Sequence, residues 1–226
     1  YNYKPVSDML QKVAIHFVPM TNPDGVTLSQ FGLDAIRSET LKKGIEDCYA
    51  RDISLGKTSD PFEVYLTKWK ANAGGVDLNY NFPYGWEQLS ADRTAPSYAN
   101  YKGPTPFSEP ESKALSQLAD QYPFAITVSY HSQGEVIYWT TSSNGAEMAS
   151  NTLAEAVSVM TGYRMDSSDG KGGFKDWMQS RSNAVPGVTL EVGRTPCPVP
   201  FSEYPAVWKQ NKGVWVQVLD YVVRRI

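Results

Sequence analysis

Histidine and cysteine are both scarce in this chain, with two of each in 226 residues. Cys48 and Cys197 form no CxxC pair, and two cysteines are too few for a disulfide framework. One bridge and two free thiols both fit, which leaves the redox compartment open. Long apolar runs are missing as well, so no segment reads as a membrane-spanning helix. No signal peptide stands at Tyr1. The one basic cluster of note is Arg224-Arg225, which reads as a solvated chain end. With a formal net charge of −3, the chain lacks the clustered Lys and Arg that nucleic-acid binders set against phosphates. Internal repeats and low-complexity segments are absent too.

What remains is ordinary globular composition, 41% hydrophobic and 20% charged. The length suits one large domain or two small ones and allows a sizeable core. Residues 13–19 are apolar and β-branched and run into Thr21-Asn22-Pro23-Asp24-Gly25, so a buried strand entering a loop is expected. Similar runs at 124–130, 135–140 and 187–192 predict three more strands, of the continuous apolar kind found in sheets covered on both faces. Ser108 and Glu111 have the spacing of a capping box, followed by Ala114, Leu115, Leu118 and Ala119 on one helical face. Further helices are expected near 146–160, closed by Gly162, from about Lys175, and over about 206–223. Strands alternating with helices predict an α/β domain with a mixed, largely parallel central sheet flanked by helices. Residues 72–106 form a long loop-rich stretch, and such stretches in compact domains are often functional.

Few residues stand out chemically. His16 lies inside an apolar run and reads as a core or sheet-edge histidine. His131 follows an apolar strand at its C-terminal end, where α/β sheets place ligands and catalytic groups. On its own it is still read more readily as structural. Glu191 interrupts the run Val188-Thr189-Leu190-Glu191-Val192. A carboxylate there is either solvated at the strand mouth or buried, and burial requires pairing, a metal or a catalytic role. Lys70, the pair Gly74-Gly75 and the segment Asp77-Leu78-Asn79-Tyr80-Asn81 read either as plain loop chemistry or as a polar binding floor.

Four motifs in order settle on a resemblance: NPDGV at 22–26, GVDLNYNF at 75–82, HSQGEVIYW at 131–139 and TLEVG at 189–193. Each is modest alone. Together they cover most of the chain and resemble the zinc carboxypeptidase family. The stretches WKAN at 69–72, FPYGWE at 82–87, FSEPESKAL at 107–115 and GFKDW at 173–177 look most like its γ-D-glutamyl-diamino acid endopeptidases, which cut peptidoglycan stem peptides. The resemblance implies that His131 is a zinc ligand and that Glu191 is the general base that activates the metal-bound water and then protonates the leaving amine. Lys70 falls where the family usually has an oxyanion-stabilising arginine, and Asn79 matches an asparagine that holds the substrate's terminal carboxylate.

Three departures qualify the match. Tyr80 stands where carboxypeptidases carry the arginine that grips an α-carboxylate through two parallel bonds. Ser167, Ser168 and Asp169 occupy the place of the family's mobile substrate tyrosine. The HxxE motif that supplies the other two zinc ligands is not found, and Pro19 stands where a glutamate paired with His16 would have to be. A catalytic zinc takes about three protein ligands. The expectation is therefore a single zinc carboxypeptidase-like domain over 1–226 without its N-terminal portion, inactive by itself. The complete enzyme would be a zinc peptidase acting on peptide or muropeptide substrates. Its expected location is the bacterial envelope or extracellular space, with the cytoplasm as the alternative. The competing functions are a metallocarboxypeptidase that releases C-terminal residues and a metal-free peptide-binding module.

Overall fold

The computed structural model describes residues 4–90, 94–140, 146–167 and 170–225. In chain order the elements begin with four helices: α1 (Lys4–Leu10), α2 (Pro23–Phe31), α3 (Glu39–Ser54) and α4 (Phe62–Thr67). After a long irregular stretch come α5 (Pro110–Gln121), β1 (Thr127–His131), β2 (Val136–Tyr138) and α6 (Glu147–Thr161). The chain continues through β3 (Arg164–Asp166), α7 (Phe174–Ser180), β4 (Gly187–Glu191), α8 (Tyr204–Asn211) and α9 (Val214–Val223). It divides into two compact units. One comprises Tyr1–Val18, Phe124–Gly170 and Met178–Ile226, and the other Pro19–Pro123 and Lys171–Trp177.

The first unit holds the sheet. Its strand order is β1-β4-β2-β3, with β1 parallel to β4, β2 parallel to β3, and β2 antiparallel to β4. Strand side chains alternate between faces, so residues 128, 188 and 190 share a side. Val128, Val188 and Leu190 pack there with Ile137, with Leu153, Ala154 and Val157 of α6, and with Val214, Tyr221 and Val222 of α9. In α6 the buried positions 150, 153, 154, 157 and 161 follow helical spacing. Gly162 then ends the helix in the left-handed conformation, φ 76°, as expected. Gln179 is fully buried, and its amide nitrogen donates to the carbonyls of Trp139 and Gly187 and to Ser150 Oγ, each at 3.0 Å. That one side chain fixes α7's end to both the sheet and α6.

Two local expectations fail here. Residues 13–18 form no strand, and Phe17 and Val18 are 73% and 46% exposed. β-branched propensity suits a pleated surface but does not supply the neighbouring strand that makes one. The helix expected over 206–223 is two helices, broken between Asn211 and Val214 at Lys212-Gly213, where glycine weakens a helix interior.

The second unit is helical. α2, α3 and α4 enclose Leu28, Ile45, Cys48, Tyr65, Leu66 and Trp69. Tyr65 lies 5.1 Å from Tyr49, 5.1 Å from Tyr98 and 5.8 Å from Trp69, ring centre to ring centre. Its hydroxyl donates to buried Asp52 at 2.7 Å, as does that of Ser97 at 2.6 Å. Burial, and then the Asp52 carboxylate, push the Tyr65 phenol far above its usual range. The NPDG segment is a helix start rather than a plain loop. Asn22 accepts from the Gly25 amide at 3.0 Å, and Pro23 takes the first helical position, where its missing N–H costs nothing. α5 begins at Pro110, capped from Glu109 without a side-chain bond, so the capping box centred on Ser108 does not form.

Candidate active site

His131 and Glu191 close β1 and β4 and are register partners in the parallel ladder. Register partners point to the same face, so both side chains stand on the side opposite the α6–α9 core, with Ser129 and Thr189 behind them. Both are half-buried. The chain leaving each strand stays tied to its neighbour: the Val192 amide donates to the His131 carbonyl at 2.8 Å, and the Gly134 amide to the Gly193 carbonyl at 2.8 Å. Glycine is required at 193, where φ is 81° and a β-carbon would meet Val199 at 2.8 Å. Val136 faces Glu191 from β2, so Glu191 has a strand on either side.

The segment beyond Glu191 is held by Glu203. Its carboxylate accepts from the amides of Arg194 at 2.8 Å and Thr195 at 3.1 Å, and from the Thr195 hydroxyl. These donors, the hydroxyl first, hold the Glu203 carboxyl below its ordinary range. Cys197 is an exposed free thiol, 3.4 Å from both the hydroxyl and the carbonyl oxygen of Ser132. Cys48 is free and buried, with its thiol pushed up chiefly by burial. His16 is exposed and meets Phe124 edge-on at 5.2 Å.

Lys70, Asn79 and Tyr80 lie together in the helical unit around Asp77. The Asp77 side chain is almost fully buried. It takes three donors: Lys70 Nζ at 3.0 Å, the Asn100 amide at 3.0 Å and the Asn79 amide at 3.2 Å. Lys70 Nζ also sits 5.2 Å from the centre of the Tyr80 ring. The Lys70 backbone is equally fixed. The amides of Lys70 and Ala71 both donate to the Tyr98 carbonyl at 2.9 Å, and Asn22 Nδ2 donates to their carbonyls at 3.1 and 2.9 Å. Gly25 allows that approach, since a β-carbon there would lie 2.3 Å from the Ala71 oxygen. Asn72 and Asn81 turn inward and bind the irregular stretch together. Asn72 Nδ2 donates to Glu109 at 2.7 Å, and Asn81 Nδ2 to the Lys102 carbonyl at 2.9 Å and Ser108 Oγ at 2.9 Å.

The structure thus groups the sequence-predicted residues in two sets, His131 with Glu191 and Lys70 with Asn79 and Tyr80. Sequence reasoning named Asp77 and Asn22 only as parts of loop segments, without their roles, and missed Glu203. Asn22 had a signal, since an N-cap residue followed by proline marks a helix start. Asp77 and Glu203 had none beyond their type. Ser168 and Asp169, singled out above, lie outside the described residues. Among the described residues no group of three His, Cys, Asp or Glu side chains is placed to hold a metal ion. None of the described helices is long and apolar enough to cross a membrane.

Comparison with known proteins adds to this geometry. Residues 1–213 match the family model described as zinc carboxypeptidase. The γ-D-glutamyl-L-diamino acid endopeptidase 1 of Lysinibacillus sphaericus is 33% identical over 210 residues, covering 92% of this chain and 49% of that protein. The uncharacterized protein YqgT of Bacillus subtilis (strain 168) is 30% identical over 226 residues, covering 98% of this chain and 56% of its own length. This chain therefore spans about half the length of both relatives. Among solved structures, the carboxypeptidase A of Helicoverpa armigera superposes with a TM-score of 0.57 at 18% identity, covering 90% of this chain and 51% of the other. That likeness concerns the fold.

Proposed function

Because this chain belongs to the zinc carboxypeptidase family, we propose that it serves a peptidase that hydrolyses amide bonds in bacterial cell-wall stem peptides, of the γ-D-glutamyl-diamino acid type. The observation that carries the reading is the register pairing of His131 with Glu191 on the face of the sheet opposite its core. A half-buried carboxylate beside an imidazole at adjacent strand ends is an arrangement suited to proton transfer. Glu191 takes a proton from the attacking water and returns it to the leaving amine. Lys70, oriented by buried Asp77, has the role of a cation toward an anionic oxygen of the substrate. Lysine does this as a point charge, without arginine's fork.

The substrate class draws on the similarity to the Lysinibacillus endopeptidase. Tyr80 supports it, since a phenol cannot grip a free C-terminal carboxylate as a guanidinium does. The described residues do not by themselves fit a zinc site, because His131 belongs to no group of three possible ligands. His131 is proposed as one ligand of a set that these residues do not complete. The alternative reading is a module that binds such peptides without cutting them.

The test compares kcat/KM of the full-length protein on a muropeptide and on a blocked L-dipeptide, with Glu191→Gln beside wild type. The expected result is preference for the muropeptide and a loss of about 10²–10⁴-fold in turnover for the variant. Preference for the dipeptide, or unchanged turnover in Glu191→Gln, defeats the reading. Muropeptide binding without turnover by wild type selects the second one.

A further inference from the structure

Arg194 stands three residues beyond Glu191, directly after Gly193. Its Nε lies 2.9 Å from Oε2 of Glu135, so the two side chains form an ion pair. The guanidinium is anchored at one nitrogen, while the side chain as a whole is 75% exposed. The anchor is unusually well fixed for a surface pair. The Glu135 side chain is only 20% exposed, and its other oxygen accepts from Gln210 Nε2 of α8 at 2.9 Å. Gln210 in turn accepts from the Tyr163 hydroxyl at 3.3 Å, which itself accepts from Asn211 at 2.8 Å. Ordinary exposed ion pairs give up much of their gain in ordering two flexible side chains. Here the carboxylate is already ordered, and the guanidinium it holds stays largely exposed.

Its position matters as much as its order. Glu135 precedes Val136, the register partner of Glu191, and Gly134 donates to Gly193. Both ends of the ion pair therefore lie on the two chain segments that adjoin Glu191. A guanidinium fork matches a carboxylate through two parallel bonds. In an α-linked peptide the acyl residue's backbone carboxyl is consumed in the amide. In a γ-linked glutamyl residue the side-chain carboxyl is consumed instead, and the α-carboxylate stays free, four bonds from the reacting carbonyl carbon.

Resting on the peptidase reading above, we propose that Arg194 determines specificity by binding the α-carboxylate that a γ-linked glutamyl residue keeps beside its scissile bond. Glu135 is the positioning residue that aims it. The test is calorimetric titration of the full-length protein in a Glu191→Gln background, so that the ligand persists. The probes are an N-acetyl-γ-D-glutamyl peptide and its twin whose α-carboxylate is an amide. Arg194→Ala should weaken the acid ligand about ten- to a hundredfold, the range for hydrogen bonds to charged groups, and leave the amide within about twofold. Arg194→Lys should restore part of the loss, and Glu135→Gln should weaken the acid ligand by less than Arg194→Ala does. Equal weakening on both ligands, no weakening on either, or a parent protein that does not favour the acid overturns the proposal. A parent that binds an α-linked peptide acid as tightly as the γ-linked one, with the Arg194 effect intact, sinks the cell-wall reading while keeping Arg194 as a carboxylate site.

Discussion

Glu191 ends β4 beside His131, Asp77 holds Lys70, and Glu203 holds the amides of Arg194 and Thr195. Glu191 stood out because a carboxylate inside an apolar run has few bland explanations, and His131 because it ended one. Asp77 and Glu203 carry as much of the local structure, yet an aspartate in a turn-rich stretch or a glutamate before a helix looks like any other. Glu111 is a third case, since its sequence signal was a capping box that does not form. Its carboxyl is pushed above the ordinary value of 4.5, chiefly by burial, which its own backbone amide and Asn72 offset only in part. A folded-state value above the unfolded one means that the native state binds the extra proton in that window. Stability is therefore greatest below the unfolded value and falls as pH rises through the folded one. Glu111→Gln, which removes the charge and keeps an acceptor for Asn72, should be more stable than wild type at neutral pH. The advantage should vanish below about pH 4, under the unfolded carboxylate value. Urea midpoints at the two pH values read this, and an advantage that persists in acid would contradict it.

At the scale of elements, helices with caps and periodicity were the readable ones. α6 had both, and its end at Gly162 follows from glycine's freedom in the left-handed region. Residues 13–18 form no strand despite their propensity, because a strand is a relation between segments and propensity describes only one of them. The break at 212–213 was missed because apolar spacing continues across it. The NPDG segment shows the opposite error, a helix start taken for a loop. Asn22 joins two elements through one side chain, capping α2 and holding the carbonyls of Lys70 and Ala71. Asn22→Ala removes the cap, which typically costs about 0.5–2 kcal/mol. It also releases the segment that presents Lys70. The expected outcome is a lower urea midpoint together with faster amide exchange in the first turn of α2 and at residues 70–71. Unchanged protection at both places would show that Asn22 links nothing.

For the whole molecule, composition allowed one large domain or two small ones, and no linker-like stretch marks a boundary. The reason is that the units are not contiguous in sequence. One gathers Tyr1–Val18, Phe124–Gly170 and Met178–Ile226, so α1 meets α9 across nearly the full chain length, while the other takes back Lys171–Trp177 from the middle of its partner's segments. Periodicity reports which face of an element is buried and not which distant element buries it. Each unit nevertheless has its own apolar core, with Leu28 fully buried in the helical one and Leu153 fully buried under the sheet. Truncating a buried leucine to alanine costs about 2–5 kcal/mol, because transfer energy is lost and a cavity remains. That cost falls first on the elements lining the cavity, since local opening follows cooperative units rather than the chain as a whole. Leu28→Ala should therefore speed amide exchange in α2, α3 and α4 and leave β1, β4, α6 and α9 near wild-type rates. Leu153→Ala should do the reverse. Because the two sites share no partners, the double variant should lose close to the sum of the two single losses. Hydrogen exchange followed by mass spectrometry resolves these segments directly. If either substitution raises exchange evenly across all of them, the two cores open as one cooperative unit, and the division into separately stabilised halves is wrong.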